Sequence, residues 1–218
     1  MSLDRQHIIE TSLTLLDQTG LEGLTMRRLA EALGVQAPAL YWHFPNKTAL
    51  LDDMAEAMVS AIAASIDVSA AYPEVLRRMA VALRKVLLSR RDGARLFAGT
   101  FVARENMLEV SEILISAMLR GGFDARTATR AVFSLGYFIM GFVIEEQALE
   151  EQMRASGGVH PILEKLWEQP AGGYEDTRAV LPELIETDQD ARFAFGVDLI
   201  LRGLADLHDS RSVAGERR

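Results

Sequence analysis

The strongest constraint on the fold is the spacing of helix-capping and helix-breaking residues between positions 25 and 47. Thr25 can cap a short helix over 26–33, and Gly34 ends that helix in a tight turn. Gln36 can cap a second short helix, and Asn46, directly after a helix-breaking Phe-Pro pair, can cap a long helix that runs to about residue 66. Two short helices joined by a glycine turn and followed at once by a new cap are typical of a DNA-binding helix-turn-helix.

The rest of the chain is also predicted to be helical, because β-branched residues do not cluster in alternating runs. Asp4 can cap a first helix that Gly20 ends. Beyond the motif, long segments rich in Leu, Ala and Met lie at about 72–90, 103–120, 124–153 and 188–208. Residues 156–187 hold many glycines and prolines and are expected to form a loose connection with one or two short helices.

The predicted fold is therefore all-α, with an N-terminal three-helix helix-turn-helix domain and a larger helical domain behind it. We place the first domain at 1–47 and the second at 48–208, with the helix over 46–66 linking them. The polar tail, 209–218, is expected to be disordered.

Composition narrows the function classes. The 218 residues include no cysteine, which excludes disulfides, zinc–thiolate sites and thiol catalysis. The net charge of −8 argues mildly against nucleic acid, but residues 1–47 carry four Lys and Arg against five Asp and Glu and are nearly neutral. No secretory signal is visible, and the longest uncharged apolar run, 131–144, is too short to span a bilayer. We expect a cytoplasmic protein with no membrane partner.

The second short helix carries the residues expected to meet DNA. Groove readout needs small or polar side chains at the start of a helix, and phosphate contacts need donors beside it. The first requirement is met by Gln36, Ala37, Pro38 and Ala39, and the second by Arg27, Tyr41, His43 and Lys47. Tyr41 and Trp42 could instead be core or hinge aromatics; packing is favoured for Trp42 and phosphate contact for Tyr41.

Longer segments identify a family. Residues 20–58, GLEGLTMRRLAEALGVQAPALYWHFPNKTALLDDMAEAM, resemble the DNA-binding domain of the TetR family of transcriptional repressors, and LGV-x-x-P-x-LYWH-x-x-NK-x-ALLD is similar to its tetracycline-repressor subfamily. LLSRRDGARLFAGT, GYFIMGFVIEEQ and FAFGVDLILRGL resemble segments of that subfamily's ligand-binding and dimerisation domain. The matches run discontinuously to about residue 207.

The resemblance implies a homodimer that reads a palindromic double-stranded DNA operator with two recognition helices. It implies a four-helix dimer bundle from 124–153 and 188–208, and a small-molecule inducer whose binding shifts the helix over 46–66 and releases DNA. The DNA-contact positions it implies are Arg27, Gln36, Ala37, Pro38, Ala39, Tyr41, His43 and Lys47, to which we add Trp42. Ala37 and Ala39 replace a glutamine and a threonine of the subfamily, so the operator sequence is expected to differ.

At the ligand-binding positions implied by the resemblance, the sequence differs from the subfamily more than it does at the DNA-contact positions. Phe97 stands where the subfamily has a histidine that binds the drug's magnesium, whereas Thr100 and Glu145, which help hold the metal's waters, are retained. The expected ligand-binding set is Ala63, Met79, Leu83, Phe97, Thr100, Ile113, Tyr137, Met140 and Glu145. Because phenylalanine offers no lone pair, we expect a largely apolar inducer bound without a metal or cofactor.

Other patterns are weaker. Most of the acidic cluster Glu145, Glu146, Glu150 and Glu151 is expected on a solvated helix face, with Glu145 as the exception that could point into the pocket. The four histidines lie far apart, and residues 90–93 are expected to form a helix end and turn. The rival hypothesis is an all-helical carrier or enzyme acting on an apolar molecule. Since we find no glycine-rich phosphate loop or nucleophile elbow, we expect a regulator and not an enzyme.

Overall fold

The computed structural model describes residues 3–100, 104–168 and 174–215, and within these ranges it contains helices and turns but no strand. A single turn of 3-10 helix spans Ala63–Ser65. The predicted all-α class is confirmed. The helices are α1 (Arg5–Gly23), α2 (Met26–Leu33), α3 (Ala37–Tyr41), α4 (Lys47–Val59), α5 (Tyr72–Leu88), α6 (Gly93–Ala98), α7 (Glu105–Arg120), α8 (Ala125–Ala155), α9 (Pro161–Trp167), α10 (Glu175–Ala179), α11 (Leu181–Leu184) and α12 (Gln189–Gly215).

Local capping explains why the first helices begin and end where they do. Thr25 Oγ1 accepts a hydrogen bond from the amide three residues on at 3.2 Å, and Asn46 Oδ1 does the same at 2.8 Å. Gly34 has φ 68°, the left-handed conformation that ends α2. Gln36 lies at the N-cap position of α3, but its side chain makes no capping hydrogen bond. Gly20, with φ 70° and ψ 174°, ends the first helical stretch of α1, and residues 21–23 continue the helix after this kink.

The N-terminal helices share one apolar core. This core takes residues from α4, so it extends past the predicted boundary at 47 and joins α1, α2, α3 and the first half of α4 into one packed unit. Its fully buried large side chains are Ile8, Leu16, Leu24, Leu29, Leu40, Phe44, Leu50, Met54 and Leu96.

Helix α4 is shorter than predicted. It ends at Val59, seven residues before the expected end at 66. The Ser60 hydroxyl donates to the Ala57 carbonyl at 2.8 Å, and the Ser60 amide bonds to the same oxygen, a tightened turn that competes with the regular helix pattern. The 3-10 turn that follows returns Ile62 and Ile66 to the core.

A second core lies among α5, α7, α8 and α12. Helix α8 is long and apolar enough to cross a membrane by length and composition, although its 14-residue uncharged run alone is too short. It packs against α5, α6, α7 and α12, and one face of it is buried in the protein, which is the behaviour of a central helix in a helical domain. The buried residues of that face are Ala128, Ala131, Leu135, Ile139 and Val143.

The C-terminal half differs from prediction in its details. Residues 156–187 hold three short helices, α9 to α11, within the described part of that segment. Helix α12 continues to Gly215, beyond the predicted boundary at 208. Among the side chains described on α12, which run to Asp209, Leu204 is the last that is buried.

Candidate nucleic-acid interface and ligand site

Helix α3 presents one face to solvent and anchors the other. Leu40 is fully buried in the N-terminal core, while Gln36 and Pro38 are exposed. Ala37 and Ala39 are half-buried, and their small side chains keep the exposed face slim enough for a groove. The four predicted base-reading residues therefore form the N-cap and first turn of α3, and all four keep part of their surface exposed.

Two aromatic side chains extend this face at the end of α3. Tyr41 is 50% exposed and Trp42 is 90% exposed. The packing interpretation of Trp42 is wrong: Leu40 and Phe44 fill the core at this point, so the chain turns Trp42 outward. Tyr41 and Trp42 are adjacent in the chain and both are exposed at the end of α3, so they add apolar surface next to the predicted base-reading residues.

The predicted phosphate donors are not equivalent. Arg27 is exposed on α2, and its guanidinium lies 3.7 Å from Glu31 one turn away. Lys47 is half-buried, and its ammonium donates to the Leu21 carbonyl at 3.2 Å, so it also ties the start of α4 to the end of α1. The His43 side chain is half-buried. Arg27 is thus the cation of this set best placed to reach outward.

Most of the predicted ligand residues meet in the C-terminal core. Met79 and Leu83 of α5 are buried there, and Phe97, Ile113 and Met140 pack against them from α6, α7 and α8. Phe97 also packs against the N-terminal core, as does Met58 of α4. The position expected to replace the metal-binding histidine therefore lies where the two cores meet.

Ala63 and the polar members of the predicted set are not part of this apolar cluster. Thr100 Oγ1 donates to the Phe97 carbonyl at 2.8 Å, and Ala63 is half-buried in the 3-10 turn. Tyr137 is 64% exposed, and Glu145 is exposed on the same side of α8. The side chains of Tyr137 and Glu145 lie outside the apolar cluster of the C-terminal core, because helical periodicity points them away from Leu135, Ile139 and Val143.

Glu145 instead lines an open cavity of about 500 Å³ between α8, the start of α9 and the start of α12. Its apolar wall includes Phe142, Leu149 and Ile162, and His160 and Arg192 are among its polar residues. Sequence reasoning missed this cavity because it treated 156–187 as a connection. The proline at the start of α9 was the available signal that a helix begins there.

A polar cluster next to this cavity shows that the prediction for Glu146, a solvated helix face, is wrong. The Arg84 guanidinium donates to both Glu146 oxygens, at 2.6 and 3.0 Å, and to Asp190 at 2.6 Å. It also lies 4.9 Å from the Phe193 ring centre. Glu146 is therefore largely buried and not on a solvated face. Its hydrogen bonds raise the pKa of Arg84 above the ordinary value.

An exposed apolar surface runs along α8 and α12. Its largest members are Phe133, Tyr137, Phe195, Leu199 and Leu207, each about half or more exposed. The rings of Phe133 and Tyr137 lie side by side, tilted by 31° with their centres 5.9 Å apart. Contiguous apolar area of this kind usually marks an interface.

Comparison with known proteins places this arrangement in a family. Residues 8–54 match the model of bacterial regulatory proteins of the tetR family, and residues 69–207 match the tetracyclin repressor-like C-terminal domain. The chain is 39% identical over 209 residues to tetracycline repressor protein class C from Escherichia coli, covering 93% of this chain and 90% of the relative.

Solved structures agree. A possible TetR family transcriptional regulator from Streptomyces coelicolor A3(2) superposes with a TM-score of 0.83 at 41% identity, over 94% of this chain and all of that one. TetR class A in complex with 5a,6-anhydrotetracycline and magnesium gives 0.70 at 34% identity, over 94% and 99%. With a helix-turn-helix at its N-terminus and a helical domain like those of the ligand-bound relatives behind it, the chain belongs to the TetR family of ligand-responsive transcriptional repressors.

Proposed function

We propose that the protein is a homodimeric repressor that binds a palindromic operator through α3 and leaves it when a largely apolar molecule enters the C-terminal domain. The observation that carries the proposal is the outward face of α3, where Gln36, Pro38, Tyr41 and Trp42 are all exposed on a helix whose other side is locked into the core. A side chain as exposed as Trp42 needs a partner surface, and the slim helix before it fits a major groove.

Dimerisation is the second part of the proposal. The apolar surface of α8 and α12 is of the kind that a second copy covers, and two such helix pairs form a four-helix bundle. A twofold partner sets the two α3 helices at a fixed separation. A palindromic operator then follows from the symmetry of the protein.

We assign base reading to the start of α3 and phosphate contact to Arg27, Tyr41, Trp42, His43 and Lys47. Ala37 and Ala39 can make apolar contacts with thymine methyl groups where longer polar side chains would form hydrogen bonds. The operator of this protein therefore differs in sequence from those of repressors with glutamine and threonine at these positions.

The proposed inducer binds without a metal. Met79, Leu83, Ile113 and Met140 offer a soft apolar lining, and Phe97 supplies no lone pair for a metal ion. Thr100, Tyr137 and Glu145 are the polar groups assigned to the ligand; Tyr137 lies on the exposed apolar surface of α8, and Glu145 lines the cavity beside α9.

Selection of duplexes from a randomised pool by the purified protein tests the proposed function. We expect a palindromic consensus bound by two chains. Arg27→Ala should weaken binding to all duplexes and reduce the slope of log affinity against log salt by about 1, whereas Ala37→Gln should change the consensus. A pool without enrichment at moderate salt would contradict the proposal and favour a carrier or an enzyme.

Calorimetric titration with tetracycline and Mg²⁺ tests the metal-free inducer separately. We expect no magnesium-dependent heat from this protein. Magnesium-dependent binding at micromolar concentrations would overturn this part of the proposal while leaving operator binding intact.

A further inference from the structure

A buried carboxylate on α4 is shared by one arginine from each domain. The Asp53 side chain is only 6% exposed. Arg5, at the start of α1, and Arg104, directly before α7, approach it from opposite sides. A buried charge is stable only when it is paired, so both arginines hold α4 where it lies.

The N-terminal side of this contact reaches the recognition helix. Arg5 Nε donates to Asp53 Oδ2 at 2.5 Å, and Arg5 Nη1 donates to the His43 carbonyl at 2.7 Å. The guanidinium also stacks on Phe44, 4.3 Å from the ring centre. His43 and Phe44 follow α3 directly, so the position of Asp53 fixes Arg5 and Arg5 fixes the end of α3.

The C-terminal side reaches α7. Arg104 Nη1 lies 2.6 Å from Asp53 Oδ1, an ion-pair distance, although its N–H direction is not that of a hydrogen bond. One turn further along α4, Glu56 accepts hydrogen bonds from the amides of Asn106 at 2.7 Å and Met107 at 3.4 Å. A carboxylate on these orphan amides caps the start of α7 from another helix.

We infer that Asp53 is a positioning residue that couples the C-terminal domain to the recognition helix through Arg104 on one side and Arg5 on the other. The inference rests on the proposed function and adds the residues that carry its regulation. Ile113, assigned to the ligand, lies on α7 about two turns from Arg104. A displacement of α7 by a bound molecule separates a 2.6 Å ion pair, and Asp53 and Arg5 then lose the position that holds the end of α3.

Coupling is reciprocal, so the test uses operator DNA as the only ligand. Hydrogen–deuterium exchange is measured over 105–110 in the full-length protein, with and without the duplex selected by the wild-type protein. In the wild-type protein we expect DNA to slow exchange of the Asn106 and Met107 amides by about fivefold or more. In Arg104→Ala this response should disappear, and duplex affinity should fall, because the ion pair whose separation releases the end of α3 is already lost.

Three further variants separate coupling from structure. Arg78→Ala removes an ion pair of similar length within α5, with an arginine of similar exposure but a carboxylate, Glu74, that is itself 44% exposed, and should leave the response unchanged. Arg104→Lys keeps the cation and should restore at least part of the response. Asp53→Asn keeps the shape of the side chain without its charge and should lose the response together with about tenfold in duplex affinity, because Arg5 loses its partner.

The inference is overturned if DNA leaves exchange at 106–107 unchanged in the wild-type protein, or if Arg104→Ala responds as the wild type does. It is also overturned if Arg78→Ala loses the response equally. If no selective duplex exists, the proposed function fails and the coupling fails with it. A selective duplex with an unaltered Arg104→Ala response rejects the coupling alone.

Discussion

Two charge clusters in this protein have the same arrangement with the signs of the charges exchanged. In the C-terminal domain one cation, Arg84, lies between the carboxylates of Glu146 and Asp190. At the junction of the domains one anion, Asp53, lies between the guanidinium groups of Arg5 and Arg104. In each cluster a guanidinium also rests on an aromatic ring, Phe193 in the first and Phe44 in the second.

The difference lies in what each cluster joins. Arg84 binds Glu146 in a two-pronged contact and connects α5, α8 and α12, which all belong to one core. Asp53 makes one contact with each arginine and connects α4 to α1 on one side and to the start of α7 on the other. The Arg84 cluster stabilises one domain. The Asp53 cluster joins two domains, so its ion pairs can separate while both apolar cores stay packed.

The largest expected effect is on the Arg84 cluster. Glu146→Ala leaves a guanidinium that is 12% exposed without its two-pronged partner. We expect the free energy of unfolding, measured by urea denaturation, to fall by about 2–4 kcal/mol. Glu150→Ala, which removes an exposed pair with Arg154 on the same helix, is the matched control and should cost less than about 0.5 kcal/mol. Equal losses in the two variants would show that the cluster does not stabilise the domain.

A smaller effect is expected at the domain junction. Arg5→Ala removes the ion pair with Asp53, the hydrogen bond to the His43 carbonyl and the contact with Phe44, but Arg5 is half-exposed and Asp53 keeps Arg104. We expect a loss of about 1–2 kcal/mol in unfolding free energy and about tenfold in operator affinity. A loss of stability without a loss of affinity would separate Arg5 from the recognition helix.

The smallest effect is expected from Asp190→Asn. The Asp190 side chain is 90% exposed, so its contact with Arg84 is screened by water. We expect a change below about 1 kcal/mol by the same urea measurement. A loss as large as that of Glu146→Ala would mean that the two carboxylates contribute equally and that the two-pronged geometry is unimportant.

Features set by neighbouring residues were predictable from the sequence. The caps at Thr25 and Asn46 and the turn at Gly34 depend on a few adjacent residues, and each is present. The apolar character of the positions assigned to the ligand on α5 and α6 was predictable, because the resemblance supplied the alignment that identifies those positions. The outward direction of Tyr137 was also available from the sequence, since a spacing of two residues places it on the side of the helix opposite Leu135, and Glu145 lies about 80° further around the helix.

Features that depend on distant partners were not predictable. Glu146 looks like one of several surface acids until Arg84, 62 residues earlier, is placed beside it. Asp53 follows another aspartate, and only the fold shows that Arg5 and Arg104 meet at the second of the two. Packing and DNA contact both stay open for Trp42 in the sequence, because a five-residue helix is too short for periodicity to decide which way the residue after it points.

The central claim is that the outward face of α3 contacts DNA, and Trp42 reports on it most directly. The chain has two tryptophans, so Trp167→Phe leaves Trp42 as the only one. Its fluorescence is followed while a selected duplex is added, with a scrambled duplex as control. We predict a change that saturates at two chains per selected duplex and is absent with the scrambled one. Selective binding that leaves the Trp42 signal unchanged would contradict the claim.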